Sequence, residues 1–433
     1  MKESLSRIIL IVFDVLAVFI SISIAYLAES YFFEEHGRYV EYIDKLLIYL
    51  VIVAVLFYEG MYTKRYDFWH ESRLVIKSLA LSFLLVMSYL AMTKNVEQFS
   101  NIVIVFAFIL MAFFIPLFKN ILKKSLFKFG LWRREAKVYG KDDFIKKEVF
   151  SNSYLGYVHA PEREAETIFI NSKDLDPQEL KRLISEQIRK RNEVIFIPLV
   201  NEYNIIHSDI YELSNTRTNL VVFKNRLRSK LRVVFQQIFN YGLAIALLPI
   251  LLPVIGILSF LIKRESPGPV FFAHNRIGKD GKIVPTLKFR SMFVDAKERL
   301  EKLLEDDDIR EEWETNFKLK EDPRVTKIGA ILRKTSLDEL PQIFNVLKGE
   351  MNFVGPRPVI QKEIDQYYKE DAEYYFMVKP GITGLWQVSG RSDTDYDFRV
   401  STDKWYVRNW SLWLDIVILF KTVKVVLFRE GAY

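Results

Sequence analysis

The 433-residue chain carries 61 Lys and Arg against 54 Asp and Glu, a formal net charge of +7, and half of its residues are apolar. It holds no cysteine, which excludes disulfides, thiolate metal sites and cysteine nucleophiles. Its basic clusters lie beside apolar runs, a distribution that suits an anionic lipid leaflet. Membrane lipids are therefore the expected neighbours, and nucleic acid is not an expected partner.

Four apolar runs open the chain: Ile8 to Ala28, Leu46 to Tyr58, Leu74 to Met92 and Ile102 to Phe118. Each approaches the ~20 residues that a helix needs to cross a bilayer, so the sequence predicts an α-helical membrane bundle of four spans over residues 1–130. The first run lacks a small-residue cleavage site and is read as a retained span, in which Asp14 must face another helix or the interface. Glu29, Glu34, Glu35 and Glu41 fill the first loop, whereas Lys64, Arg65 and Arg73 mark the second. Lys119, Lys123, Lys124, Lys128, Arg133 and Arg134 crowd the exit of the fourth run. By the positive-inside rule both ends of the bundle are cytoplasmic.

Residues 131–227 read as a small, degenerate Rossmann-like α/β domain. Short β-rich pieces at Ala136 to Tyr139, Thr167 to Ile170, Glu193 to Pro198 and Leu220 to Phe223 alternate with a helical stretch, Pro177 to Lys190. The first piece runs into Gly140 without further glycines nearby, so the dinucleotide fingerprint is missing. A regulatory or assembly role without a cofactor is expected of this part.

Residues 228–433 form the third part, an α+β domain that begins with an apolar helix over about 233–262. Arg226, Arg228, Lys230 and Arg232 precede this helix and Lys263 and Arg264 follow it, so both flanks prefer the cytoplasmic side. Pro249 and Pro253 sit near its middle and favour a bend. The two facts predict a re-entrant helix that enters and leaves by one face; a fifth full span, with the C-terminal domain outside, is the other reading. Val270 to Ile277 and Lys282 to Arg290 then read as a β-hairpin around Gly278-Lys279-Asp280-Gly281. On that strand Lys288 and Arg290 share a face, as a pair gripping a diphosphate would, or as two solvated cations.

Ser336 to Gln342 carries the sharper signal. Leu340, Ile343, Phe344 and Leu347 follow helical spacing and Gly349 suits a C-terminal cap, which places Asp338 and Glu339 at a helix start. Such a pair serves either as a cap or as phosphate chemistry. In the second case Asp338 attacks phosphorus, Glu339 beside it holds a Mg²⁺ that bridges the leaving diphosphate, and Arg333 and Arg357 take up the remaining charge. Arg357 lies between Pro356 and Pro358, a rigid mount suited to a phosphate clamp. Further on, Trp405, Tyr406, Trp410 and Trp413 cluster around the start of the apolar stretch Leu412 to Phe428. That stretch reads as a helix at the headgroup level or as a core helix of the same domain. Glu298 to Glu314 reads as a solvated helix, and none of the five histidines has metal-ligand spacing.

Lys288 through Met292, Asp322-Pro323-Arg324, Arg333 through Gln342, Phe344 through Gly349, Gly355 through Pro358 and Lys379 through Arg391 together resemble the bacterial sugar transferase family. These are the polyprenyl-phosphate phosphoglycosyl transferases, and the three-part architecture is similar to their large monotopic subgroup. The motifs cover about residues 228–433. The resemblance implies an enzyme of the bacterial inner membrane, multi-pass, with its catalytic domain on the cytoplasmic face. It implies transfer of hexose 1-phosphate from a UDP-hexose to undecaprenyl phosphate, with galactose expected first and glucose next. It also implies a covalent intermediate on Asp338, release of UMP, Mg²⁺ held with Asp338 and Glu339, phosphate binding by Arg333 and Arg357, a re-entrant helix and a homodimer. The competing class is a non-catalytic membrane scaffold for polysaccharide assembly.

Overall fold

The computed structural model describes residues 2–32, 46–93, 100–140, 145–172, 175–190, 193–197, 209–213, 218–222, 226–305, 310, 322–389 and 395–428, and the chain divides into two compact units, 1–200 and 201–433. In the first unit the four apolar runs are helices: α1 (Lys2–Phe32), α2 (Leu46–Tyr58), α3 (Phe68–Met92) and α4 (Asn101–Lys128). Asp67 caps α3 by accepting a hydrogen bond from the Trp69 amide at 3.0 Å, and Ser100 caps α4. α1, α3 and α4 are long and apolar enough to cross a membrane; α2 is shorter over its described residues.

α4 continues about ten residues beyond its apolar run, and the reason is electrostatic. Lys119 and Lys123 are buried inside the bundle together with Asp14 and Glu71. Lys119 Nζ lies 2.9 Å from Asp14 Oδ2 and 3.7 Å from Glu71 Oε1, while Lys123 pairs with Glu71. Tyr62 donates to Asp14 and Tyr154 to Glu71, both at 2.7 Å. Two carboxylates and two ammonium groups thus cancel within the bundle. Lys119 and Lys123 are therefore not part of the solvent-facing basic flank that the sequence reading placed at the helix exit.

β1 (Arg134–Tyr139), β2 (Tyr157–His159), β3 (Thr167–Asn171) and β4 (Glu193–Ile197) form a wholly parallel sheet in the order β2-β1-β3-β4. α5 (Pro177–Lys190) joins β3 to β4. β2, three residues long, carries too little pattern to be read from sequence. The expected piece at 220–223 does not enter this sheet: β6 (Thr218–Val222) pairs antiparallel with β5 (Asp209–Leu213) as a separate hairpin. Its neighbour in sequence offers the shorter closure.

The second unit is built around α6 (Lys230–Glu265), the fourth helix long and apolar enough to cross a membrane. Pro249 and Pro253 lie inside one unbroken helix and not at a gap in it. Both ends of α6 are fastened within the unit. Near the start, Gln236 donates to Asp415 at 3.1 Å and Asn240 accepts the Phe353 amide at 2.8 Å. At the far end, the Glu265 carboxylate accepts the Lys327 and Ile328 amides at 2.7 and 2.9 Å. Between them Ile245, Ile250, Ile257 and Phe260 stay exposed.

β7 (Phe271–Ile277) and β8 (Ile283–Phe289) follow as an antiparallel hairpin, then α7 (Ala296–Leu303), α8 (Lys327–Thr335) and α9 (Gln342–Leu347). The predicted helix over 298–314 is seen only as α7, because 306–309 and 311–321 lie outside the described residues. β9 (Asn352–Val354) pairs in parallel with β10 (Gly381–Thr383), short helical turns fill 361–376, and α10 (Tyr396–Arg408) and α11 (Leu412–Phe428) close the unit. Two aromatic residues of the cluster around the start of α11 are core residues and not interfacial anchors. Tyr406 and Trp410 are buried and donate to Asp415 at 2.7 and 3.0 Å. Burial pushes the Asp415 carboxyl up to about 7 against the pull of those donors and Gln236.

Replacing Lys119 with Met leaves the Asp14 carboxylate buried without its cation, and is expected to destabilise the protein by about 3–5 kcal/mol. The thermal midpoint of the full-length protein in detergent measures this, and an unchanged midpoint contradicts the assignment.

Candidate active site

The hairpin alternates, so residues paired across it share a face. Phe272 pairs with Lys288, His274 with Thr286 and Arg276 with Val284. On this face Val284 and Thr286 are buried, His274, Arg276 and Lys288 are half-buried, and Phe272 stays exposed. Lys288 is delivered from it toward the segment after α8.

α8 starts at Thr326, whose hydroxyl accepts the Gly329 amide at 2.8 Å, and stops at Ser336 in the left-handed region with φ 56°. The chain then makes a 3₁₀ turn over Leu337–Glu339 before α9 begins. Asp338 and Glu339 therefore occupy the turn ahead of α9, where the sequence reading put them at the helix start itself. Lys288 Nζ stands 2.7 Å from Glu339 Oε1 and 3.6 Å from Asp338 Oδ2. The first is a charge-assisted hydrogen bond and the second an ion pair without one.

Arg357 reaches the same oxygen, with Nη2 at 3.7 Å from Glu339 Oε1. Its mount is rigid because Gly355 donates to the Thr383 carbonyl at 2.9 Å. A Cβ on Gly355 would fall 2.5 Å from the Lys379 carbonyl oxygen, so only glycine allows this approach. Arg333 lies on α8 and donates through Nε to the Ser291 hydroxyl at 2.9 Å, close enough for its charge to act on Asp338. Arg290 is directed elsewhere: its guanidinium donates to the Ser266 and Pro267 carbonyls just past α6. The structure thus brings Lys288, Asp338, Glu339 and Arg357 together, sets Arg333 beside them, and separates Arg290 from Lys288.

The two carboxylates diverge electrically. Burial raises Asp338 above its ordinary value and the Glu339 charge adds to this, while Lys288, Arg333 and Arg357 oppose it. Burial acts to raise Glu339 as well, but Arg357, Lys288 and Arg276 together outweigh it and hold this carboxyl low. Glu339 takes most of the cationic contact and is held below its ordinary value, while burial holds Asp338 above its own, a suitable state for a nucleophile.

Among the described residues no three acidic or histidine side chains gather into a metal cage. Two adjacent carboxylates still fit Mg²⁺, which commonly takes one or two carboxylates together with substrate phosphate oxygens and water.

Asn345 carries a function that sequence reasoning did not assign. It is fully buried on α9, accepts the Leu287 amide at 2.9 Å, and donates to the Pro285 carbonyl at 2.9 Å and to Glu350 at 2.6 Å. This strut sets β8, and hence Lys288, against the helix that follows the two carboxylates. A lone Asn within Phe344 to Leu347 was the available signal. Gly349 ends α9 with φ 74°, and a Cβ there would lie 2.6 Å from the Tyr241 hydroxyl.

A family model described as bacterial sugar transferase matches residues 231–429. The chain is 35% identical over 404 residues to the undecaprenyl-phosphate galactose phosphotransferase of Salmonella typhimurium, covering 86% of this chain and 84% of that one. It is 36% identical to the UDP-galactose-lipid carrier transferase of Erwinia amylovora over the same shares, 86% and 84%. Against the UDP-glucose:undecaprenyl-phosphate glucose-1-phosphate transferase of Klebsiella pneumoniae the identity is 30%, over 97% of this chain and 95% of the relative.

Asn345→Ala strands the half-buried Leu287 amide and is expected to cost about 1–3 kcal/mol. Chemical or thermal unfolding of the full chain reads this directly; a loss below the error of the measurement would remove the strut from the account.

Proposed function

The chain belongs to the bacterial sugar transferase family, and on that premise we propose that it transfers hexose 1-phosphate from a UDP-hexose to undecaprenyl phosphate and releases UMP. One observation carries the reading: Lys288, Asp338, Glu339 and Arg357 converge within 4 Å contacts on one turn. Galactose 1-phosphate is the first choice of cargo, since relatives named for galactose match at 35% and 36% identity, and glucose is the alternative.

Asp338 Oδ attacks the phosphorus that bears the hexose. The bond from that phosphorus to the bridging oxygen breaks, UMP leaves with the electron pair, and an acyl phosphate remains on Asp338. An oxygen of the lipid phosphate then attacks the same phosphorus and frees the carboxylate. Both reactants are anionic at each step, so Lys288 and Arg357 lower the barrier by holding positive charge where the phosphoryl oxygens must pass. Arg333 is placed to share that load. Asp338 and Glu339 would hold Mg²⁺, which would add charge neutralisation at the diphosphate.

α6 is read here as re-entrant, entering and leaving through the cytoplasmic face. Basic flanks at both ends, two internal prolines that permit a kink, and fastening of both ends within one unit support this. The same charge rule supports a catalytic unit on the cytoplasmic side, and the family resemblance adds the expectation of a bacterial inner membrane. The resemblance to the family's large members adds the expectation of a homodimer.

Asp338→Asn keeps the shape and removes the nucleophile, so UMP release from UDP-galactose is expected to fall by on the order of 10⁴. Turnover retained near the unmodified level sinks the covalent mechanism. EDTA is expected to stop turnover and added Mg²⁺ to restore it.

The pH profile gives a second test. Only ionised Asp338 attacks, and its folded value lies above the ordinary 3.8, so activity is lost as pH falls through that raised value. Lys288 favours the ionised form; Lys288→Met is therefore expected to move the acid limb to still higher pH. A limb that stays put or moves down contradicts the pairing.

A further inference from the structure

The hairpin face that carries Lys288 also carries an imidazole that the mechanism does not use. His274 stands between Phe272 and Arg276 along β7 and opposite Thr286, which puts it diagonal to Lys288 on the same face. Its neighbours on that face bracket Glu339: Lys288 bonds it directly, and Arg276 is near enough to help hold its carboxyl low. Thr286 donates to the His274 carbonyl at 2.8 Å, which fixes the backbone there. The imidazole is half-buried and touches the Phe272 ring at 6.1 Å between centroids. Its ring nitrogens have no hydrogen-bond partner among the described residues.

Burial, with Arg276 and Lys288 adding to it and Glu363 opposing, holds the imidazole below its ordinary value, toward the neutral form. A neutral imidazole offers one donor and one acceptor. Phosphate oxygens only accept, and three cations already serve them. The polyprenyl chain is apolar. A sugar hydroxyl both donates and accepts, and the hexose is bonded to the phosphorus that Asp338 attacks, so its ring must lie within a few ångströms of the carboxylate pair.

We infer that His274 hydrogen-bonds a hydroxyl of the donor's hexose ring and sets which hexose the site accepts. The inference rests on the donor reading above and adds a specificity-determining residue to it. Galactose and glucose differ only in the direction of one hydroxyl, a difference that a fixed donor and acceptor pair can register and a point charge cannot.

The test uses the full-length protein with His274→Leu, which keeps bulk against Phe272 but cannot hydrogen-bond, and His274→Gln, which keeps a donor and an acceptor. kcat/KM for UMP release is measured with UDP-galactose and UDP-glucose, alongside inhibition by UDP, which has no sugar. The Leu variant is expected to lose about tenfold in kcat/KM for the preferred hexose, one hydrogen bond's worth, with the ratio between the two sugars falling toward one. UDP inhibition should stay within about twofold, and Gln should retain most of the preference. An unchanged sugar ratio in the Leu variant overturns the inference, as does UDP inhibition that weakens in step with kcat/KM. Wild-type protein that releases no UMP from any UDP-hexose removes the donor reading and the inference together, whereas the first two outcomes remove the inference alone.

Discussion

Two carboxylates next to each other repel the diphosphate they are meant to meet, and that repulsion is the constraint around which the catalytic unit is organised. Lys288 answers it by reaching both, at 2.7 Å from Glu339 and 3.6 Å from Asp338. Burial lifts the Asp338 carboxyl above its ordinary value, while Arg357 and the closer Lys288 bond hold Glu339 below its own. The surrounding structure keeps the asymmetry in place: Ser336 turns the chain out of α8, Asn345 pins β8 beside α9, and Gly355 admits the loop that carries Arg357.

Buried polar groups recur as fasteners wherever a long apolar helix must adopt one placement. Apolar side chains alone would let such a helix slide or rotate at little cost, whereas a buried donor without its acceptor is expensive. In the second unit, Asp415 gathers donors from Tyr406, Trp410 and Gln236. Asn240 bonds the backbone of β9, and Glu265 caps the amides at the start of α8. In the first unit the same task falls to charges. Lipid is as apolar as the helix surfaces it meets, so Asp14, Glu71, Lys119 and Lys123 supply a specificity that packing lacks.

Periodicity and charge determined much of this protein unaided. Four apolar runs near bilayer length could only be helices, alternation around Gly278 to Gly281 specified the hairpin, and helical spacing through Leu347 with Gly349 after it placed α9. Asp338, Glu339 and Arg357 were conspicuous because a carboxylate pair ahead of a helix and an Arg mounted between two prolines stand in one string of ordered motifs. Local pattern fails where the deciding partner is remote. Lys119 and Lys123 look like a basic flank until Asp14 and Glu71, on α1 and α3, are seen to neutralise them. Tyr406 and Trp410 look like interfacial anchors until Asp415 turns inward. Arg290 shares a strand face with Lys288 on paper, but β8 ends at Phe289 and the carbonyls past α6 claim its guanidinium. Residue types and their spacing fixed which elements form, because those depend on neighbours a few residues away. Which charges meet, which are buried and which way each carboxylate is shifted depended on contacts across 50 residues and more, as between Lys288 and Glu339, and only the folded chain decides these.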